Sequence, residues 1–153
     1  MALSVTPAVA APPKSVPSVP GGIPLKGCGF DVQAERSGKV KYLRQSRPFV
    51  ERDLHGLMRV FPNERVTLTN PRTHVSVTYV LAGVLRMTPM APQTWTDPEW
   101  TLRFSGHNLV LGPGIEGILY TTGTQTFVVD LDGTTTLTES HGKVLNVCDV
   151  LAP

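Results

Sequence analysis

Apolar and polar residues alternate along most of this chain, and the alternation predicts strands joined by turns. The clearest case is residues 124–141, TQTFVVDLDGTTTLTESH. Asp132-Gly133 between runs of Thr, Val and Phe is the strongest short-range signal for a β-hairpin with a type I′ turn. In that register Val129 faces Thr136 and Phe127 faces Thr138, which places apolar residues on one face of a half-buried sheet.

Further strands follow from the same pattern. Residues 65–69 and 74–81 alternate well and are separated by Asn-Pro-Arg-Thr, which predicts a second hairpin. Weaker segments are residues 39–44, 56–61, 100–104, 108–111 and 118–120, with Pro62-Asn63 ending the second of them, while residues 144–151 suit either a last strand or a short helix. Short strands at this spacing predict an all-β protein, an antiparallel sandwich or barrel.

The amino-terminal segment has a different composition. Residues 1–27 hold six of the fourteen prolines and no aromatic or acidic residue. Proline at this density disfavours helices and central strands, so the pattern predicts an extended arm outside a single β domain of residues 28–153. Because such a segment cannot fold alone, we expect it to lie along a neighbouring subunit. The residues expected to make that contact are Val5, Pro7, Val9, Pro12, Pro13, Val16, Pro17 and Ile23.

The composition limits the kinds of partner that the chain is expected to bind. The 153 residues suffice for one domain, and the charged fraction of 17% lies below the roughly 25% typical of soluble proteins. A net charge of +2 with scattered basic residues argues against nucleic acid, and we interpret the cluster of Lys39, Lys41, Arg44 and Arg47 as a solvated strand edge. No apolar run approaches the roughly 20 residues that span a bilayer, so no membrane partner is expected.

The start of the chain and the two cysteines indicate whether the protein is secreted or stays inside the cell. Ala8-Val9-Ala10 resembles a signal-peptidase site, but the preceding segment lacks a charged region and Pro7 interrupts it, so we do not expect an intact signal peptide. Cys28 and Cys148 lie at the two ends of the predicted domain. They form either a disulfide, worth roughly 4 to 5 kcal/mol in an oxidising compartment, or two buried thiols.

Catalytic signals are weak. The four histidines show no metal-binding spacing, and Ser140 and His141 are adjacent in a strand, so their side chains point to opposite faces. We therefore expect no enzyme, no metal site and no cofactor. Trp95 and Trp100, at the end of a loop rich in proline, form either a binding hot spot or ordinary anchors of the loop and core.

Three motifs carry a resemblance to known proteins: V-T-L-T-N-P, then T-T-G-x3-F-V-V-D-x-D-G-x-T, then N-V-C-D-V-L-A. Over residues 28–153 the chain resembles a group of small β proteins from actinobacteria, often secreted, and from actinobacterial phages. In that group a cysteine before the first strands accompanies one near the carboxyl terminus, as Cys28 and Cys148 do here. The resemblance implies a β domain and no particular activity. Secreted members carry leader peptides, whereas this chain has a proline arm, which favours the phage-like members.

These observations predict a non-enzymatic structural protein of a phage virion, either a capsid decoration or a tail-associated subunit. Its expected partners are the major capsid or tail protein and copies of itself. The alternative is a secreted, disulfide-closed β domain that binds a protein or a carbohydrate.

Overall fold

A computed structural model describes residues 12–48, 55–89 and 99–153. Within these ranges the chain forms ten strands and one short helix. They are β1 (Lys14–Ser15), β2 (Ile23–Leu25), β3 (Val32–Ser37), β4 (Lys39–Pro48), β5 (His55–Thr69), β6 (Ser76–Pro89), β7 (Trp100–Gly106), β8 (Asn108–Val110), β9 (Leu119–Val129), β10 (Thr135–Asn146) and α1 (Val147–Leu151). The strand pairs are all antiparallel, which confirms the predicted all-β antiparallel fold.

The strands form one open sheet with the order β1-β4-β5-β6-β7-β9-β10. Strands β5 and β9 each carry two neighbours along one edge: β3 and β4 lie beside β5, and β7 and β8 lie beside β9. Gly38, with φ of 94°, lies between β3 and β4, and Gly106, with φ of 82°, ends β7 just before His107 leads into β8. Within the described ranges β10 does not pair with β1 or β4, so the sheet is not the closed barrel that the sequence suggested as one possibility.

The amino-terminal segment contributes two short strands and a core residue to the sheet from Lys14 onward, so the structure does not support a separate arm over residues 12–27. Strand β1 pairs with the start of β4, and β2 pairs with β3. Val16 is 7% exposed, and its N–H donates to the Gly38 carbonyl at 2.9 Å. The edge of a sheet tolerates proline, which explains how Pro24 lies within β2. The predicted contact residues Val5, Pro7 and Val9 lie outside the described residues.

Strand β5 continues through Pro62-Asn63, where the sequence predicted an end. Its register against β6 shifts between Phe61 and Glu64, so the two intervening residues form a bulge. Both Phe61 and Glu64 are buried, at 6% and 1% exposed. The bulge therefore lets the strand keep its inward-facing side on both sides of the break.

The closing hairpin forms, but its predicted turn type is wrong. Gly133 N–H donates to the Asp130 carbonyl, and Asp130 N–H donates to the Thr134 carbonyl, both at 2.9 Å. Gly133 has φ of 85°, while Asp132 is not among the residues with positive φ. A three-residue loop with glycine in the left-handed conformation matches strand twist as a type I′ turn does, and it moves the register by one residue. Val129 consequently faces Thr135 rather than Thr136.

Two groups of buried side chains form the core. The larger group draws on β3, β5 and β6 together with the end of the chain: Val16, Val32, Ala34, Val40, Phe61, Val66, Leu68, Leu81, Ile118, Val147, Cys148 and Leu151. The smaller group consists of Phe104, Val110 and Phe127, and Phe104 meets Phe127 edge to face at 5.6 Å. Residues 144–151 combine both predicted alternatives, because β10 runs to Asn146 and α1 follows.

Candidate functional site

A disulfide joins the two ends of the domain. Cys28 precedes β3, Cys148 lies in α1, and they are 120 residues apart, with their Cα atoms at 5.1 Å. The structure thus forms the bond that the sequence left as one of two alternatives. The bridge ties the first strands to the last helix beside the larger core group.

Hydrogen bonds fix α1 next to this bridge. Val147 N–H donates to the Ile118 carbonyl at 2.7 Å, which continues the β9–β10 ladder into the helix. The side chain of Asn146 caps the helix by accepting from Cys148 N–H at 3.0 Å. Gly117, with φ of 88°, lies against the Asn146 amide, and a side chain at position 117 would overlap that amide. The position of Cys148 is therefore set by its neighbours as well as by the disulfide.

Strand β10 is the longest described strand with a single neighbour, β9. Its residues 136–145 are exposed, including Leu137, Val144 and Leu145 at 42%, 41% and 42%. On the same strand His141 Nε2 lies 2.9 Å from Glu139 Oε1. The hydrogen bond from His141, and then its charge, hold the pKa of Glu139 below its usual value. A long strand edge with an apolar and charged surface is a site where another chain can pair.

Two glycines shape this edge. Gly123 of β9 faces Gly142 of β10, and their φ values are 88° and 139°. A Cβ at Gly142 would overlap the carbonyl oxygen of Thr122, and one at Gly123 would overlap that of His141. Only glycine allows the two backbones to approach in this way, so the pair is a requirement of the local strand geometry.

An aromatic cluster lies where β6, β8 and β9 meet. The rings of Tyr79 and Tyr120 are stacked at 4.2 Å, and His107 Nδ1 lies 2.6 Å from the Tyr120 hydroxyl. Burial raises the pKa of both phenols above the usual value, and for Tyr79 the proximity of Tyr120 raises it further. Both tyrosines are half-buried and His107 is exposed, so the cluster presents a small aromatic and polar surface.

Glu64 is a buried carboxylate held by two arginines. Arg36 Nε donates to Glu64 Oε1, and Arg59 lies 3.5 Å from Oε2. The Arg59 guanidinium also stacks over the Phe61 ring at 4.4 Å. The three charged residues form part of the wall of an otherwise largely apolar cavity of about 260 Å³. The sequence pattern does not predict this group; its one local signal is Pro62-Asn63, which forms the bulge beside Glu64.

The other predicted site residues are distributed as follows. Trp100 is half-buried in β7 opposite Val129, and Trp95 lies outside the described residues. Ser140 and His141 occupy successive positions of β10, as predicted, and His141 pairs with Glu139. Pro12, Pro13 and Pro17 are exposed, Ile23 is half-buried, and Val16 belongs to the core.

The described residues form neither a metal-binding cluster nor a membrane-spanning helix. Among residues 12–48, 55–89 and 99–153, no three His, Cys, Asp or Glu side chains are grouped as a metal site would require. In that part of the chain no helix has the length and apolar character needed to cross a membrane.

Comparison with known proteins gives no match: no family model, no curated protein and no solved structure is similar to the chain. The structure itself therefore defines the class of the molecule. It is an open antiparallel β-sheet in which a disulfide joins the segment before β3 to α1, and the described residues leave one long strand edge uncovered.

Proposed function

We propose that this protein is a non-enzymatic structural subunit of a phage virion, a capsid decoration or a tail-associated protein. The observation that carries the proposal is the disulfide between Cys28 and Cys148, which closes the domain from its first strands to its last helix. Such bonds persist on virion and cell surfaces and are rare in the reducing cytosol. A structural subunit outside the cell benefits from a bond that limits unfolding where no chaperone is present.

The two edges of the sheet support an assembly role. Strands β1 and β2 cover part of the amino-terminal edge, whereas β10 is exposed over residues 136–145. An uncovered strand can add another chain to the sheet through backbone hydrogen bonds. The arm predicted for residues 1–27 no longer supports the proposal, because β1, Val16 and β2 pair or pack within their own domain.

We propose further that the open sheet folds over itself as a sandwich does. Two contacts support this: Tyr79 of β6 stacks on Tyr120 of β9, and the larger core group combines β5 residues with Ile118 and Leu151. A covered core on the inner side leaves the outer face and the β10 edge for partners. The proposed partners are the major capsid or tail protein and further copies of the chain.

Mass spectrometry of the protein in its natural setting tests the virion proposal. Phage particles are purified on a density gradient, and the chain is quantified in the particle band and in the particle-free supernatant. We expect it in the particle band, at a fixed ratio to the major capsid protein and with Cys28–Cys148 oxidised. Recovery only from the particle-free fraction would contradict the proposal.

A secreted binding domain is the second candidate. The aromatic surface of the half-buried Tyr79 and Tyr120 beside the exposed His107 favours it, because aromatic rings that carry polar groups bind proteins and carbohydrates. The same mass measurement separates the two candidates. A chain found in culture supernatant without phage particles, oxidised and shortened at its amino terminus, would support secretion.

A further inference from the structure

We propose that β10 pairs in an antiparallel direction with β10 of a second copy. The two-fold axis of this dimer would pass midway between His141 of one copy and His141 of the other. The two sheets would then continue into one another across the axis. The proposal goes beyond the virion assignment, because it names the contact between copies and holds wherever the protein acts.

Backbone hydrogen bonding leaves the outer donors and acceptors of β10 without a partner among the described residues. The register against β9 is constant from the Glu139–Thr126 pair to the Asn146–Leu119 pair. Val147 N–H donates to the Ile118 carbonyl, which is the next position of the same ladder. Because bonded positions alternate in an antiparallel pair, the odd-numbered residues 139–145 bond to β9. The even-numbered residues, Ser140, Gly142 and Val144, consequently direct N–H and C=O groups outward.

A two-fold axis at His141 pairs these outward groups with one another. Ser140 then faces Gly142 of the second copy, and Gly142 faces its Ser140, so the two bonded pairs nearest the axis form between small residues. Val144, 41% exposed, faces Thr138 of the second copy and loses part of its exposed apolar surface. The bulge between Leu137 and Glu139 marks the end of regular pairing on each side.

Charge complementarity selects this register over its neighbours. With the axis at His141, Glu139 faces Lys143 of the second copy twice, at positions where paired side chains approach most closely. An axis at Glu139 or at Lys143 opposes like charges, and an axis at Gly142 pairs Glu139 with Leu145. The axis at His141 places the two imidazoles opposite each other, and each lies beside the Glu139 carboxylate of its own strand. An axis at Ser140 pairs Glu139 with His141 and leaves Lys143 without a carboxylate. Only the axis at His141 provides two lysine–glutamate pairs.

A charge-swap experiment tests the contact in the full-length, oxidised protein. Light scattering after size exclusion, over a range of concentrations, gives the mass of the species in solution. We expect wild type to reach twice the chain mass of 16.6 kDa. Lys143→Glu places a carboxylate opposite the Glu139 carboxylate of the second copy. Glu139→Lys places an ammonium group opposite the Lys143 ammonium group of the second copy. Each substitution should therefore raise the dimer Kd at least tenfold. The double variant restores opposite charges and should return the Kd to within about threefold of wild type.

Lys26→Glu is the matched control, since Lys26 is exposed outside β10 and undergoes the same change of charge. It should leave the Kd unchanged. A wild-type monomer at all concentrations, a Lys143→Glu dimer as stable as wild type, or open-ended polymers would each overturn the proposal, as would a double variant that stays monomeric.

A carbodiimide cross-link provides a second measurement that does not depend on a variant that folds. Within one strand, Glu139 and Lys143 are separated by about 13 Å, too far for a zero-length bond. In a mixture of labelled and unlabelled chains, a Glu139–Lys143 link should therefore join peptides of different label. A link found only within one chain, or no link at all, contradicts the two-fold pairing.

Discussion

Asn70 and Leu151 are 81 residues apart in sequence, and the Asn70 side-chain amide donates to the Leu151 carbonyl at 3.0 Å. The Oδ1 atom of the same side chain accepts from Arg72 N–H, also at 3.0 Å. Asn70 is 2% exposed, so both halves of its amide are used away from water. One side chain thus shapes the β5–β6 loop and holds the end of α1 against it.

We expect Asn70→Asp to lower the free energy of unfolding by about 2 to 3 kcal/mol. The substitution keeps the acceptor for Arg72 but replaces the donor by a carboxylate oxygen that faces the Leu151 carbonyl in a buried setting. Urea unfolding measures the change. Asn63→Asp is the control, because Asn63 is exposed and its Oδ1 accepts from Lys39 N–H, a bond that the substitution keeps. Equal effects of the two substitutions would show that the Asn70 donor contributes nothing.

The disulfide should contribute more than any single hydrogen bond. Closing a loop of this length lowers the entropy of the unfolded chain, which predicts a loss of about 5 kcal/mol when the bond is removed. A variant with Cys28→Ala and Cys148→Ala should therefore unfold at a much lower urea concentration than the oxidised protein. Reduced wild type should unfold close to the variant. If oxidised and reduced wild type unfold together, the bridge does not stabilise the fold.

Glu64→Gln tests the buried carboxylate. Removing its charge takes away the carboxylate that Arg36 and Arg59 contact beside an apolar cavity. Because both arginines are about a quarter exposed, water compensates in part, and we expect a loss of about 2 kcal/mol rather than the larger cost of a fully buried pair. Chemical unfolding measures it. Glu35→Gln, on the exposed side of β3, should change stability by less than about 0.5 kcal/mol.

Local pattern was sufficient to predict strands, since alternation and turn residues act over a few positions. The β5–β6 hairpin follows directly from residues 65–69, Asn70-Pro71 and the alternation after His74. The same local signals could not separate a bulge from a strand end. Pro62-Asn63 ended a strand in the sequence interpretation, although pairing with β6 on both sides carries β5 through it.

The Glu64 group and the β10 edge could not be predicted from the sequence, because both depend on contacts between residues that are distant in the chain. Arg36 and Glu64 are 28 residues apart, and their ion pair requires β3 and β5 to lie side by side. Similarly, the outward direction of Ser140 and Gly142 depends on which positions of β10 bond to β9. No periodicity in a single sequence specifies strand order or bonding phase, so these features emerged only from the structure.

The tyrosine pair predicts loss of stability in alkali. Burial raises the pKa of Tyr79 and Tyr120 above the unfolded value of about 10. The folded state holds these two phenol protons more tightly than the unfolded state does. Their contribution to the free energy of unfolding is therefore complete below the unfolded pKa and is lost as pH rises through the folded pKa. Tyr120→Phe removes one of the two ionisations. Its stability should therefore fall less steeply between about pH 9 and pH 11 than that of wild type.

Urea unfolding at several pH values measures this slope. Tyr42→Phe is the control, since Tyr42 is 57% exposed and lies outside the stacked pair. The substitution removes one phenol hydroxyl without changing the stack. A Tyr120→Phe slope identical to wild type would mean that the stacked pair does not govern the alkaline limb.

Val16 and Val19 provide a direct test of whether residues 12–27 belong to the folded domain. Val16 is 7% exposed within the larger core group, whereas Val19, three residues later in the same proline-rich segment, is 46% exposed. Val16→Ala removes two buried methyl groups and should cost about 1 to 2 kcal/mol in unfolding free energy. Val19→Ala should cost less than about 0.5 kcal/mol. A free arm would make the two substitutions equally harmless, so the difference between them in urea unfolding decides whether this segment completes the core.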